Sequence, residues 1–568
     1  MRAPSSVSLS TLLLALLLVP AAAADSFGRP GPALFTEIEV PSGSASEPTL
    51  GIPWTTNSVF YHAGTATWRA RFDAEGTPTW ADVTPPYQIP INLDPMLTAD
   101  VVTGRVFAGG LLGPCSEMMI SDDDGATWLP SINMCSGKDF DHQTVGTGPP
   151  AGPIPTGEGA HVAYYCAQGG TISCARSLDG GAVWGPFQQV PGSCGGFHGH
   201  IQVSPIDGFV ALPTGSCGDK HGFISTADGG LTWASNQIPG TEPWANGFDP
   251  SLQFTRQSGW MYYAMASEHG VHVALSKNNG LVWETLGTSH GDGSGWFDLG
   301  VLHDPPIWAG SFTDLEAGDD DRVAISFFGL EETATADQAF LRSDRIYNCD
   351  ERQADLVWRS YVATSFDAGQ TWTVSRVSDD PVQVGGMYDV VVDGSGSCRN
   401  LLDFKDMDID VDGRIVIGFA DGCTGQCATT LQPESSGYRD DAARIHRQVA
   451  GRGLFATADV AVDPVDLDGD GVANTEDEDL DGDGTANPQD EDLDGDGTAN
   501  SQDPDADGDA VADETDKDLD SDGVVDTQDP TVAVAGRAYT STTAKGTPAL
   551  PLALLVAGLL ALAIRRKA

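Results

Sequence analysis

The chain has 568 residues, with 81 Asp and Glu against 29 Lys and Arg, and therefore a formal net charge of −52. Because 40% of the residues are hydrophobic and 13 are Trp, most of the chain can bury a core, which excludes general disorder. So large a negative charge repels phosphate backbones and excludes a nucleic-acid-binding function. The 68 Gly and 35 Pro favour a turn-rich all-β protein over a helical one.

Residues 1–24 have the three parts of a secretory signal peptide. Arg2 supplies the positive charge, 11–19 form an apolar run too short to span a bilayer, and the small residues 20–24 offer a cleavage site. We therefore expect an exported protein whose ten cysteines form disulfides. Their spacing groups them as near neighbours and leaves the connectivity open: Cys115/Cys135, Cys166/Cys174, Cys194/Cys217, Cys349/Cys398 and Cys423/Cys427.

A degenerate repeat runs through residues 35–450. Its core is Ser/Thr-x-Asp-x-Gly-x-Thr/Val-Trp, in which the Ser/Thr and Asp side chains can satisfy turn amides and Gly can take a positive φ. Five copies begin at Ser121, Ser177, Thr226, Ser276 and Ser365, with Asn278 in place of Asp in the fourth. They resemble the Asp boxes (BNR repeats) of sialidases and many other β-propellers. The resemblance implies an all-β propeller over residues 25–460, with each Trp packed between neighbouring sheets.

A second feature marks the innermost strand of each blade. We interpret seven short segments as the starts of these strands, which predicts seven blades, with six, as in sialidases, as the alternative; the segments begin at Glu47, Asp94, Asp141, Gly199, Asp249, Phe312 and Lys405. The alternating segment 35–40 is predicted to close the ring as the outer strand of the last blade. Residues 331–357 are predicted to be an insertion in the sixth blade.

The inner strands carry the candidate catalytic residues, which are acids and imidazoles: Asp94, Asp141, His142, His200 and Asp249, accompanied by Glu47, Asp314 and Asp406. His198, His200 and Gln202 alternate and therefore share one face of a strand. Two interpretations stay open. These groups either converge on the channel for acid/base chemistry on a glycoside or for cation binding, or they cap backbone amides of the neighbouring blade.

The resemblance to sialidases implies three arginines that bind the sialate carboxylate, an Asp acid/base and a Tyr nucleophile paired with Glu. The early Arg29-Pro30 lies outside the propeller and leaves the first arginine unmatched, and Tyr388-Asp389 is not the Tyr/Glu arrangement. Two functions therefore remain as hypotheses. One is a surface-anchored, sialidase-like glycoside hydrolase, and the other is a non-catalytic propeller that binds glycans or surface proteins.

Residues 464–530 contain five loops of the form D-x-D-x-D-G-x-x-[ND]-x-x-D that begin at 466, 479, 492, 505 and 518, with Ala510 replacing the glycine of the fourth. Carboxylates at positions 1, 3, 5 and 12 and a carbonyl at position 7 provide the oxygen ligands that Ca²⁺ prefers. In the first loop, Asn474 at position 9 is a further candidate, through water. The array resembles thrombospondin type 3 repeats, which implies an irregular, calcium-binding stalk.

The predicted calcium ligands, loop by loop, are Asp466, Asp468, Asp470, Val472, Asp477; Asp479, Asp481, Asp483, Thr485, Asp490; Asp492, Asp494, Asp496, Thr498, Asp503; Asp505, Asp507, Asp509, Val511, Asp516; and Asp518, Asp520, Asp522, Val524, Asp529. Residues 531–548 are predicted to be a flexible linker rich in Thr, Ala and Ser. Residues 549–568 resemble a C-terminal surface-sorting anchor, because an apolar run precedes Arg565-Arg566-Lys567. This tail predicts a transmembrane helix, retained or processed, and a cell-surface protein.

Overall fold

The computed structural model describes most of residues 26–459 and scattered residues between 467 and 507. Its longest gaps within the first range are 87–92, 136–140, 153–160, 242–249, 287–296, 332–355, 386–404 and 431–441. The chain divides into two units, Met1–Ala461 and Val462–Ala568. Among the residues that the structure describes, none forms a helix with the length and hydrophobicity needed to cross a bilayer. The predicted signal peptide, linker and anchor lie outside the described residues.

The first unit consists almost entirely of strands. In chain order these are β1 Ser26–Phe27, β2 Leu34–Glu39, β3 Thr49–Gly51, β4 Val59–Ala63, β5 Ala66–Phe72, β6 Pro78–Asp82, β7 Leu93–Ala99, β8 Val106–Leu112, β9 Cys115–Ser121, β10 Leu129–Pro130, β11 Asp141–Gly148, β12 Val162–Gln168, β13 Ile172–Ser177, β14 Gln188–Gln189, β15 Cys194–His198 and β16 Gln202–Val203. They continue with β17 Val210–Cys217, β18 Lys220–Thr226, β19 Ala234–Gln237, β20 Ser251–Phe254, β21 Met261–Ser267, β22 Gly270–Ser276, β23 Phe297–Asp298, β24 Ile307–Ala317, β25 Val323–Glu331, β26 Val357–Ser365, β27 Thr373–Arg376, β28 Gln383–Val384, β29 Asp406–Ile409, β30 Ile415–Asp421 and β31 Ala442–Gly451. A short α1, Gln426–Thr430, and a 3₁₀ turn, Ala456–Ala458, accompany them.

These strands form seven sheets, which are the blades of a β-propeller. Blades 1 to 7 are built on β3–β6, β7–β10, β11–β14, β15–β19, β20–β23, β24–β28, and β29–β31 with β1 and β2. The first strands of the blades contact one another in a closed ring, in the order β3, β7, β11, β16, β20, β24, β29 and back to β3. Seven blades, rather than the alternative of six, are therefore confirmed.

The ring is closed by the N-terminal strand. β2 pairs antiparallel with β31, with Ile38 opposite Ile445, so the last blade combines both ends of the propeller sequence. The predicted closing strand, 35–40, is confirmed with a shift of one residue. The predicted insertion also fits the strand bounds, because β25 ends at Glu331 and β26 begins at Val357; residues 332–355 lie outside the described residues.

The five box segments each follow the third strand of a blade and share one set of hydrogen bonds. The hydroxyl of the first residue accepts the glycine amide, as Ser121 Oγ does from Gly125 N at 2.9 Å. The Asp or Asn side chain accepts an amide further along, as Asp123 Oδ1 does from Thr127 N at 2.7 Å. The same pairs recur in the other four segments.

The box glycines also join neighbouring blades. Gly181 has φ +92°, and a Cβ there would collide with the Phe107 ring of the preceding blade. Gly280, with φ +81°, has the same relation to Phe223. Glycine is therefore required twice over, by the backbone conformation and by the close approach of an aromatic ring.

Four disulfides are present among the described residues: Cys115–Cys135, Cys166–Cys174, Cys194–Cys217 and Cys423–Cys427. Each joins residues that the spacing had grouped, whereas Cys349 and Cys398 lie outside the described residues. Several disulfides are typical of an exported protein.

The second unit has a small repeating core of one apolar side chain per 13-residue loop: Leu467, Leu480, Leu493 and Ala506. In each of the first three loops the asparagine at position 9 accepts the amide of this core position. Asn474, Asn487 and Asn500 accept from Leu467, Leu480 and Leu493 at 2.7, 2.7 and 2.8 Å. The repeat seen in the sequence is therefore a repeat of local structure, and the Asn474 side chain closes its own loop.

Candidate functional site

The first strands of all seven blades surround a cavity of about 180 Å³, which we call the axial cavity. Its lining is rich in polar side chains from different blades, among them Gln143, His200, Gln202, Gln253, Arg256, Asp314, Glu316, Asp406 and Asp408. These residues are distant in sequence and meet only because the ring closes. The axial cavity is therefore the candidate site.

Bulges with left-handed residues mark several inner strands. Asp94, His142 and Phe312 have φ of +47°, +49° and +49°, and the strand register shifts at each of them. Glu47, just before β3, has φ +50°. Non-glycine residues rarely adopt this conformation, and bulges redirect the side chains that follow. Several of the strand starts predicted from the sequence therefore have a left-handed backbone conformation.

Several inner-strand side chains accept backbone amides of the next blade. The bonds are His142 N to Asp94 Oδ2 at 3.1 Å, Ile201 N to Thr144 Oγ1 at 3.0 Å, Met407 N to Asp314 Oδ2 at 2.5 Å, Leu50 N to Asp406 Oδ2 at 2.6 Å and Ile52 N to Asp408 Oδ2 at 2.7 Å. A buried amide left without an acceptor is costly, so these bonds hold the blades together. Amide capping, one of the two interpretations of the strand-start acids, is thus observed for Asp94, Asp314 and Asp406.

One group of predicted site residues meets between blades 2 and 3. The pKa of Asp94 is raised to about 6, mainly by burial and secondly by the neighbouring carboxyl group of Asp141. Asp141 itself is exposed at the start of β11. His142 is buried beside His198, with ring centroids 5.7 Å apart. The arrangement pairs a largely buried carboxyl group that has a raised pKa with the exposed carboxyl group of Asp141.

A second group brings together blades 4, 6 and 7. Ligand atoms of His200, Asp314 and Asp406 all lie within 4.8 Å of one another. Burial and then the adjacent Asp314 raise the pKa of Asp406 well above its usual value. Burial lowers the pKa of His200 while Asp314 opposes that shift. This group therefore places two adjacent carboxyl groups and an imidazole on one wall of the cavity.

Sequence reasoning missed Glu316 and Asp408. Glu316 is 7% exposed, and its Oε1 accepts a hydrogen bond from Gln253 Nε2 at 2.9 Å. Its Oε2 lies 3.9 Å from Arg256 Nη2. Burial raises the pKa of Glu316 well above its usual value and that of Asp408 to about 7. Each residue lies two positions after a residue singled out in the sequence, on the same face of its strand. That period of two was the available signal.

Three further residues singled out in the sequence are Asp249, Glu47 and His198. Asp249 lies outside the described residues, and Glu47 is buried next to β3. His198 is buried, its Nδ1 contacts the Gly199 carbonyl at 3.0 Å, and burial lowers its pKa to about 3. His198 is therefore a neutral histidine of the blade interior.

Some of the predicted calcium ligands are described by the structure: Asp468, Val472, Asp477, Asp479, Asp481, Thr485, Asp490, Asp492, Asp494, Asp503 and Asp507. The others lie outside the described residues. Asp477 Oδ1 accepts the Asp479 amide at 2.9 Å, whereas its Oδ2 is buried with no hydrogen-bond partner among the described residues. A Cβ on Gly482 would lie 2.6 Å from Asp468 Oδ2, and one on Gly495 would lie 2.5 Å from Asp481 Oδ2. A carboxylate oxygen of one repeat thus lies against a glycine of the next repeat, where a larger residue would not fit.

Comparisons with known proteins identify no family. No protein-family model and no curated protein matches the chain. Among solved structures, a protein of unknown function from Dyadobacter fermentans is 11% identical, with a TM-score of 0.36 over 72% of this chain and 97% of its own. A mutant of the Aleuria aurantia lectin AAL in complex with Fucalpha1-6GlcNAc is 10% identical, with a TM-score of 0.35 over 58% and 94%. A Hadza microbial sialidase is 16% identical, with a TM-score of 0.32 over 50% and 63%. Similarities this low assign no ligand.

Proposed function

We propose that this chain is an exported, Asp-box β-propeller that binds a glycan in its axial cavity and carries calcium-binding repeats after the propeller. The observation that carries the proposal is the convergence of amide, carboxyl, guanidinium and imidazole side chains on one cavity. Sugar hydroxyls both donate and accept hydrogen bonds, and this set of side chains offers both functions.

The charge of the lining favours a glycan without acidic groups. Asp100, Asp314, Glu316, Asp406 and Asp408 line the cavity, whereas Arg256 is the one arginine among its described lining residues. A sialate carboxylate would meet several carboxyl groups and a single guanidinium, which opposes its binding. The proposed ligand is therefore a neutral sugar.

Binding is tested with a glycan array probed by the full-length chain in calcium-containing buffer. Gln202 is half-buried in the cavity wall, and we expect Gln202→Ala to weaken binding of the best glycan about tenfold or more, the loss of roughly 1.4 kcal/mol. Gln189→Ala, on the exposed outer strand β14, is the matched control and should bind as the unaltered chain does. No binding to any neutral glycan, or equal loss in both variants, would contradict the proposal.

Glycoside hydrolysis is a second candidate, favoured by the pairing of Asp94 with Asp141. A carboxyl group with a raised pKa can act as a general acid, and an adjacent ionised carboxyl group can act as base or nucleophile. Hydrolysis of a panel of fluorogenic sugars, sialosides included, tests this function. Turnover that Asp141→Asn abolishes would establish an enzyme, whereas binding without turnover would leave a recognition module.

For the repeats we propose Ca²⁺ as the bound ion, in the manner of thrombospondin type 3 repeats. The described residues fit this ion, because Asp477 Oδ2 is a buried carboxylate oxygen without a hydrogen-bond partner there and Gly482 leaves room for the Asp468 carboxylate. Hard carboxylate oxygens are the ligands that Ca²⁺ takes. Export through residues 1–24 and anchoring at the cell surface through 549–568 complete the proposal. Protease accessibility of the propeller on intact cells tests that location.

A further inference from the structure

Among the described residues, one group of side chains has the composition and spacing of a metal centre. It consists of His200 from the segment before β16, Asp314 from β24 and Asp406 from β29, with ligand atoms within 4.8 Å of one another. The three residues come from three blades, and all line the axial cavity. Atoms that bind one cation at roughly 2.0–2.2 Å lie no more than about 4.4 Å apart, so small rotations about side-chain bonds would complete such a site.

The imidazole of His200 is free to act as a ligand. Unlike His142 and His198, whose Nδ1 atoms contact backbone carbonyls, it makes no hydrogen bond to any residue that the structure describes. The ring is half-buried at the cavity wall. A neutral imidazole with an available nitrogen is the form that binds metal.

The carboxyl groups of Asp314 and Asp406 lie next to each other and close to Lys405. Each accepts backbone amides, which orient the carboxyl group and leave lone pairs for a further partner. The ammonium group of Lys405 donates a hydrogen bond to Ser326 Oγ. No ion pair between a lysine or arginine and either carboxylate occurs within the described part of the chain. A cation would add a positive charge beside the two carboxyl groups.

An independent observation in the same cavity also indicates a missing cation. Glu316 is 7% exposed and lines the cavity, and its Oε2 has no hydrogen-bond partner among the described residues. Its nearest positive charge is Arg256, at 3.9 Å. Buried carboxylate oxygens are normally paired, so an additional positive charge in the cavity would relieve this one as well.

We propose that His200, Asp314 and Asp406 bind one divalent transition-metal ion, with Zn²⁺ as the probe, in the wall of the axial cavity. A nitrogen ligand beside two carboxylates suits zinc and its neighbours, whereas calcium and magnesium prefer oxygen ligands throughout. Zinc bound by three protein side chains keeps a coordination position for water or for a ligand oxygen. The site is thus chemically distinct from the oxygen-only repeats of the second unit.

The test is zinc retention by the full-length chain, dialysed against Zn²⁺ in excess Ca²⁺ so that calcium occupies the oxygen-only loops. We expect about one tightly bound Zn²⁺ per chain and at least tenfold weaker binding in His200→Ala and Asp406→Asn. His303→Ala is the matched control, because this half-buried histidine packs 5.1 Å from Tyr361 and does not line the cavity. It should retain zinc unchanged.

Thermal unfolding separates loss of the site from loss of the fold. Zn²⁺ should raise the melting temperature of the unaltered chain and of His303→Ala, but not that of His200→Ala. A chain that retains no zinc, or a His200→Ala variant that retains as much as the unaltered chain, would overturn the proposal. Because no glycan is present, this result is independent of the outcome of the glycan array.

Discussion

The propeller and the repeat unit both depend on aspartate, but they use it in opposite ways. In the propeller, Asp314 and Asp406 accept amides of adjacent blades, within a structure whose cores contain many fully buried aromatic and aliphatic side chains. In the repeat unit, a single Leu or Ala in each of four described loops forms the core, and carboxylate oxygens lie against glycines of the next repeat. Apolar burial can therefore stabilise the propeller, whereas we expect the repeats to need cations to offset the repulsion between their carboxylates.

Removal of calcium should produce the largest difference between the two regions. In a chelator we expect residues 462–530 to lose their amide protection against hydrogen exchange, because binding and folding of such loops are one event. Protection should return with half-saturation near 10⁻⁴–10⁻³ M Ca²⁺, which is typical of extracellular loops. The propeller strands should remain protected throughout. Equal protection of the repeats with and without chelator would refute calcium-dependent folding.

Loss of a cross-blade acceptor should have the next largest effect, and only in the propeller. Asp314→Ala removes the acceptor of the Ser251 hydroxyl and leaves the Met407 amide only its bond to Asp406 Oδ1 at 2.9 Å, so we expect it to lower the free energy of unfolding by about 2 kcal/mol. Asp219→Ala, on an exposed turn, should change it by less than about 0.5 kcal/mol. Denaturant unfolding measures both values. Similar losses in the two variants would mean that the hydrogen bonds accepted by Asp314 contribute little to stability.

A smaller effect for each unit of pH, about 1.4 kcal/mol at most, is a pH dependence of stability that belongs to the propeller alone. Burial raises the pKa of Asp408 to about 7, so its contribution to stability is present at low pH and declines as pH rises from the unfolded pKa towards 7. As pH rises between roughly 4.5 and 6.5, the free energy of unfolding of Asp408→Asn should therefore increase relative to that of the unaltered chain by up to about 1.4 kcal/mol per pH unit.

Denaturant unfolding across that pH range measures this difference in the free energy of unfolding. The buried histidines do not contribute to the difference, because both proteins contain them. If the difference in the free energy of unfolding between the two proteins stays constant with pH, the pKa of the Asp408 carboxyl group is not raised. Asp219→Asn is the matched control, since Asp219 is exposed and its variant should show no such slope.

Local pattern was sufficient to predict much of the architecture. The alternation of residues 35–40 predicted the closing strand, the spacing of the strand starts predicted seven blades, and near neighbours in sequence predicted four disulfides. These features repeat or lie close together along the chain, so composition and periodicity record them. The 13-residue register of the second unit is a local pattern of the same kind, and its core leucines recur with that register.

The meeting of side chains at the axis was decided by tertiary structure. Leu50 and Asp406 are hydrogen-bonded although 356 residues separate them, and His200 meets Asp314 and Asp406 only where blades 4, 6 and 7 face one channel. Sequence singled out these acids and imidazoles but left open whether they cap amides or face a ligand. The closed ring determines which of their oxygens accept amides and leaves the His200 imidazole open to a ligand, because burial and partners exist only once the blades are assembled.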